Sequence, residues 1–175
     1  MKHGFGRLLY FSGDNKGMMY EGQFREDKYE GDGKYTWENG DIYRGTFSKG
    51  QSDGFGINVT PEGAAYTGEY LKGDRHGYGV QKAANGDTIA GRFENDEASG
   101  FGVSHFGKEA YVGQWKDGNF HGLGMYFEDS GKVQVAFFQQ DVKDGPGIEI
   151  DPLTKKFKKV LWKQDQIAFW ETLNM

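Results

Sequence analysis

The residues whose type and spacing come nearest to reactive machinery are seven Gly-x-Gly doublets: Gly4/Gly6, Gly31/Gly33, Gly54/Gly56, Gly77/Gly79, Gly100/Gly102, Gly122/Gly124 and Gly145/Gly147. Glycine-rich turns can cradle phosphate, but a dinucleotide site needs Gly-x-Gly-x-x-Gly between a strand and a helix. GFGINV, GYGVQK, GFGVSH and GLGMYF have no third glycine at that spacing and run into alternating, strand-like sequence. Three of the four histidines, His3, His76 and His121, stand immediately before a doublet, and a shared slot implies a shared turn role. His76 and His121 lie two repeats apart, roughly 20 Å by strand spacing, too far to share a metal; His105 is a repeat away from either. Many of the 26 acidic residues fall in turns (Asp14, Asp27, Asp53, Asp74, Asp96, Asp117, Asp129), as turn chemistry favours, and none forms an Asp-x-Asp-x-Asp-Gly calcium loop. Serines also sit in turns. There is no cysteine, which excludes disulfides, thiolate nucleophiles and the usual structural zinc ligands. The sequence therefore predicts no catalytic residue, no metal site and no cofactor.

The doublets belong to a longer period. An aromatic–x–Gly–x–aromatic phrase begins at Tyr20, Tyr43, Tyr66, Ile89, Tyr111 and Gln134, and the doublet follows seven residues after its second aromatic. The step is 23 residues, once 22. A fixed period of this length marks a stacked array whose units bury their apolar faces on one another. Within one unit, Tyr43, Gly45 and Phe47 share a strand face, SKGQSD supplies a turn, and GFGINV alternates again, so the unit is two strands and two turns. Glycines at i and i+2 open a slot for a ring from the neighbouring strand, and the ring shields the bare backbone. The middle residue points the other way, which gives a second apolar stripe through Phe55, Tyr78, Phe101 and Leu123.

The chain has 175 residues, 29 of them glycine and only 3 proline, with 16% aromatics. That composition suits tight turns and close strands in one domain rather than disorder. A net charge of −5 argues against nucleic acid as partner. No apolar stretch approaches the ~20 residues of a membrane helix, and Leu8–Phe11 is too short for a signal segment. These features predict a soluble intracellular protein.

Tyr-x-Gly-x-Phe/Trp followed by His-Gly-x-Gly and an Asn-Gly-like turn resembles the MORN (membrane occupation and recognition nexus) repeat. YTGEYLKGDRHGYGVQKAANGD (66–87) and YVGQWKDGNFHGLGMYFEDSG (111–131) carry the resemblance best, and it extends from Gly4 to Trp162. It implies an all-β fold: an elongated, curved, single-layer antiparallel sheet with a groove along one side. At ~4.8 Å per strand the array would measure roughly 60–70 Å. Ile89, Gln134, Ala136 and Pro146 depart from the pattern, and proline lacks the N–H of a central strand.

The expected organisation is an array over 1–162, with a half repeat at 3–19, repeats starting near 20, 43, 66, 89, 111 and 134, and a terminal strand at 157–162. Residues 163–175 form a cap or tail. The segment Tyr10–Met19 is long enough for an extended hairpin loop. Trp162, Gln166, Ile167, Trp170 and Leu173 fall near helical spacing, which predicts a short capping helix starting near Asp165. A competing reading is head-to-tail self-association through the terminal strands, with Phe157–Trp162 pairing Gly4–Leu9 of the next chain.

Function is expected to be non-catalytic: a scaffold binding a protein partner along the sheet. Candidate anchors are Tyr43, Tyr66 and Tyr111 on the glycine face and Phe55, Tyr78 and Phe101 on the other, although most of these rings could simply pack the sheet. Lys155, Lys156, Lys158 and Lys159, interleaved with Phe157 and Val160, offer a secondary contact with an anionic membrane or an acidic partner, against the alternative of a lysine-guarded edge strand. The resemblance also implies a cytoskeletal or ciliary setting. Some relatives join such repeats to catalytic domains, but here the repeats fill nearly the whole chain.

Overall fold

Seven two-residue turns set the architecture. Glu26-Asp27, Lys49-Gly50, Lys72-Gly73, Asn95-Asp96, Asp117-Gly118, Gln140-Asp141 and Gln164-Asp165 all have positive φ at both residues. This is the type I′ geometry whose twist matches that of paired strands. The computed structural model describes residues 1–173, and among them there are sixteen strands and no helix. They are β1 (Gly4–Leu9), β2 (Met19–Arg25), β3 (Lys28–Thr36), β4 (Ile42–Ser48), β5 (Gln51–Val59), β6 (Ala65–Leu71), β7 (Asp74–Lys82) and β8 (Thr88–Glu94), followed by β9 (Glu97–Phe106), β10 (Glu109–Lys116), β11 (Asn119–Phe127), β12 (Val133–Gln139), β13 (Val142–Lys143), β14 (Gly145–Asp151), β15 (Lys156–Lys163) and β16 (Gln166–Leu173). The antiparallel sheet follows chain order, with β13 a short piece beside β12. Two compact units divide it: 1–86 with 93–96, and 87–92 with 97 onward.

The turns also tie neighbouring repeats. Asp27, Asp96, Asp141 and Asp165 each accept a backbone N–H from one repeat earlier, from Lys2, Arg75, Phe120 and Lys143 at 2.7, 2.9, 2.7 and 3.0 Å. Each of these aspartates donates its own N–H back to the same residue's carbonyl. A non-glycine residue at positive φ is strained, and these charge-assisted bonds offset that cost. The repeated turn aspartates are thus docking groups as well as turn formers.

The loops between hairpins are of a second kind. Trp37 N–H bonds the Asp41 carbonyl at 2.9 Å and Gly40 N–H bonds Trp37, and the loops at Thr60–Ala64 and Glu128–Lys132 repeat this. Between β9 and β10 only Gly107-Lys108 separates the paired Phe106 and Glu109, which accounts for the single 22-residue step. Tyr10–Met19 does form a long hairpin loop: Tyr10 N–H bonds the Met18 carbonyl, and the Tyr10 and Tyr29 hydroxyls meet at 2.6 Å.

The C-terminal segment differs from the helical expectation. Residues 166–173 form β16, paired with β15 from Lys163↔Gln166 to Phe157↔Leu173. Gln164-Asp165 is the same positive-φ turn as Gln140-Asp141, so the chain makes a seventh hairpin where a helix was expected. This fills the edge of β15, so the strand-completing contact expected through Phe157–Trp162 is made within the chain. Pro146 interrupts the sheet as expected: β14 rejoins β12 only at Val135↔Ile148.

Candidate partner-binding surface

A row of glycines crosses the strands. In the first unit Gly6, Gly22, Gly33, Gly45, Gly56, Gly68 and Gly79 are successive cross-strand partners. In the second, Gly102, Gly113, Gly124 and Ala136 continue the pattern. Tyr20, Tyr43, Tyr66 and Tyr111 lie flat on this row. A Cβ at Gly113 or Gly124 would fall inside the Tyr111 ring, so only glycine permits the approach. The strand bulges just past the glycine, and the phenol donates to the carbonyl there: Gln23 at 2.9 Å, Thr46 at 3.0 Å, Glu69 at 3.2 Å and Gln114 at 2.8 Å. Burial pushes the pKa of each of these four tyrosines up to about 12.

Each tyrosine is wedged between the second aromatic of its own repeat and that of the next. Tyr20 meets Phe24 and Phe47 edge-on at 5.0 and 5.1 Å, Tyr43 meets Phe47 and Tyr70 at 5.1 and 5.0 Å, and Tyr66 meets Tyr70 and Phe93 at 5.3 and 5.1 Å. Tyr111 does the same with Trp115 and Phe138. Such pairs contribute ~0.5–1.5 kcal/mol each beyond area burial. This ladder is the protein's core.

Where the first tyrosine is missing, a tryptophan from the next repeat takes its place. Ile89 leaves Gly91 and Gly102 without a ring, and Trp115 lies against Gly102, its Nε1 3.1 Å from where a Cβ would stand. Gln134 likewise leaves Gly147 bare, and the Trp162 ring covers it. Gln134 itself joins a polar group, accepting from Lys143 Nζ at 2.7 Å and donating to Glu128.

One slot on this face varies. Opposite the second aromatic stand Tyr29, Ser52, Arg75 and Phe120. Tyr29 stacks on Tyr20 and Phe120 on Tyr111, both at 3.8 Å, and Arg75 sits 5.7 Å over Tyr66. Ser52 is too small to cover Tyr43. A groove of about 600 Å³ opens there, lined by Trp37, Tyr43, Asn58, Tyr66, Arg75 and Gln81 among others. Arg75 is held at its side by Asp96 (3.1 Å) and Gln81 (2.8 Å).

The opposite face is built differently. Phe5, Phe55, Tyr78 and Phe101, the middle residues of their doublets, are 75%, 66%, 69% and 64% exposed. The six expected anchors therefore separate: Tyr43, Tyr66 and Tyr111 are buried in the ladder with their hydroxyls bonded internally, while Phe55, Tyr78 and Phe101 project into solvent. The four lysines do not share a face. Lys158 reaches the buried Glu149 at 3.4 Å and lies 5.2 Å over Trp170, on the tyrosine face. Lys159 points the other way, paired in register with Glu171. Lys155 is a positive-φ loop residue and Lys156 an exposed strand end. Among the described residues no cluster of three or more His, Cys, Asp or Glu could hold a metal.

A sheet of repeated type I′ hairpins, floored by a glycine row and locked by a tyrosine ladder, defines a β-hairpin repeat protein. The chain belongs to the MORN-repeat family, whose model matches residues 1–15, 20–42, 43–57, 66–88, 90–108 and 111–132. The matches stop before the repeat carrying Gln134, Ala136 and Pro146. A comparison with curated proteins returns no match. Among solved structures, the chain is similar to the SAS-4 (dCPAP) TCP domain in complex with a proline-rich motif of Ana2 (dSTIL) of Drosophila melanogaster, with 14% identity, 91% of this chain and 79% of that chain covered, and a TM-score of 0.48.

Proposed function

We propose that this protein is a non-catalytic scaffold that binds a protein partner through the face opposite the tyrosine ladder. The observation that carries this reading is the pair Phe55 and Tyr78, each about two thirds exposed at the same repeat position. Folding does not need large rings there, since the ladder on the other face already covers the glycines. Exposed aromatics of this kind are the residue types that anchor interfaces. A cytoskeletal or ciliary assembly is the setting we propose with it. The test is cross-linking mass spectrometry on the full chain in its native cells. Links from Lys34 and Lys82 to one foreign protein, lost in F55A/Y78A with unchanged circular dichroism, are expected. Undiminished links in that variant refute the reading.

A second reading rests on the groove left by Ser52, which could take an extended partner segment over Trp37 and Tyr43. Ser52→Tyr separates the two. It should fill the groove as Tyr29 fills the corresponding slot, keeping the fold and binding if Phe55 and Tyr78 are the contacts, and abolishing binding if the groove is.

A further inference from the structure

The face opposite the ladder changes character between the two compact units. In the first, one cross-strand row runs Arg7, Glu21, Lys34, Arg44, Ile57, Thr67, Val80. Four charges stand side by side, and a sheet face bearing them is solvated. In the second unit the same row runs Val103, Val112, Met125, Val135, Ile148 without one charge. It ends at Lys159 paired with Glu171. The flanking rows are largely apolar: Leu123 pairs Phe137 and Pro146 pairs Leu161 on one side, and Phe127 pairs Val133 and Val133 pairs Ile150 on the other. Their polar members are Gln114 beside Phe101, His105 beside Ala110, and Asp144, whose N–H bonds the Phe137 carbonyl.

We propose that this face is a homodimer interface, covered by the same face of a second copy. Leu123, Phe137 and Leu161 are 51%, 47% and 43% exposed, and Met125 and Ile148 both 39%. With their half-buried neighbours they leave roughly 600–800 Å² of contiguous apolar surface, taking ~200 Å² for a large side chain. That exceeds what most monomers show and approaches the ~800 Å² per partner of a stable complex. The occupant follows from shape and charge. A broad pleated face three rows deep is matched by another sheet face packed ~10 Å away. A two-fold axis brings the same patch against itself, and a central row without charge meets no like charge when it does so. The first unit's face, with Glu21, Lys34 and Arg44 in the corresponding row, cannot be buried in this way without cost. The contact uses residues other than Phe55 and Tyr78, so it stands apart from the partner reading above.

The test is the molar mass of the full chain by sedimentation velocity from about 1 to 200 µM. Wild type should have the mass of two copies at the upper end. L123K/F137E places an ion pair across β11 and β12, which keeps the hairpin but puts charges in the interface. Burying such a pair without matching partners is expected to weaken the dimer on the order of 100-fold. Ile148→Lys, on a different strand, should do the same, so the result does not hang on one variant folding. K34E/R44E, on the first unit, should leave the dimer intact. Wild type with the mass of one copy throughout overturns the proposal and assigns the face to a different chain. A dimer that survives both L123K/F137E and Ile148→Lys overturns it too, and moves self-association elsewhere.

Discussion

At the residue scale, the phenol of each ladder tyrosine does two jobs: its ring covers two glycines and its hydroxyl caps the carbonyl that the bulge turns out of the ladder. Both need the neutral form. Burial raises the pKa of Tyr20, Tyr43, Tyr66 and Tyr111 from 10 to about 12. Below pH 10 the folded and unfolded chains both keep these protons, and the contribution to stability is fully present. Between pH 10 and 12 the unfolded chain loses them while the folded chain holds them, so stability falls as pH rises. Above 12 the contribution is gone. Urea midpoints should therefore drop steeply over this window, with loss of the sheet signal. A midpoint unchanged from pH 9 to 12 would count against the ladder as the core.

At the element scale, the hairpin is a module with one interchangeable part, the ring over the glycines. The repeat either supplies its own tyrosine or borrows a tryptophan from the next. Trp115→Phe should leave the space over Gly102 open and cost about 1–3 kcal/mol. Ile89→Tyr alone should overpack that space at a similar cost. Together they restore the pattern of Tyr66 and Phe93, and the double variant should lie within about 1 kcal/mol of wild type. Chemical denaturation of the four proteins measures the coupling, and additive losses would refute the exchange.

This element scale is also where sequence and structure part company. The two-strand unit, the glycine slots and the tyrosines over them could be read from spacing, because only glycine leaves room for a ring and the period placed each one. The borrowed tryptophan could not, since Trp115 lies 26 residues from Ile89 and only the register makes them neighbours. The terminal strand β16 is hidden in the sequence because Trp162, Gln166, Ile167 and Trp170 fit a helical period, whereas Gln164-Asp165 copies the turn at Gln140-Asp141 and carries the same positive φ. Which face keeps its rings exposed was not legible either: both faces alternate apolar residues, and exposure depends on which rings the glycine row can receive.

At the scale of the whole molecule, each hairpin among the described residues pairs only with its neighbours in the chain, so stability is a chain of local terms rather than one core. Those terms are unequal. The repeats from Tyr20 to Glu94 have a wedged tyrosine at every step. From Gln134 onward the wedge is replaced by a polar group, proline breaks the β12–β14 pairing, and the exposed β16 pairs, among the described residues, with β15 alone. Unfolding should then start at residues 133–173 and spread through the preceding repeats at higher denaturant. Hydrogen exchange with mass spectrometry in graded urea should show peptides from β14 to β16 exchanging at least tenfold faster than those from β4 to β7, at urea levels where the overall sheet signal is still native. Done at 200 µM and again near 1 µM, the same measurement reaches the proposed dimer. A two-fold contact over β10 to β15 would slow exchange there at the higher concentration alone, while the β4 to β7 peptides stay unchanged. Uniform exchange along the chain at both concentrations would mean that the repeats unfold as one unit and that the apolar face of the second half is left open to water.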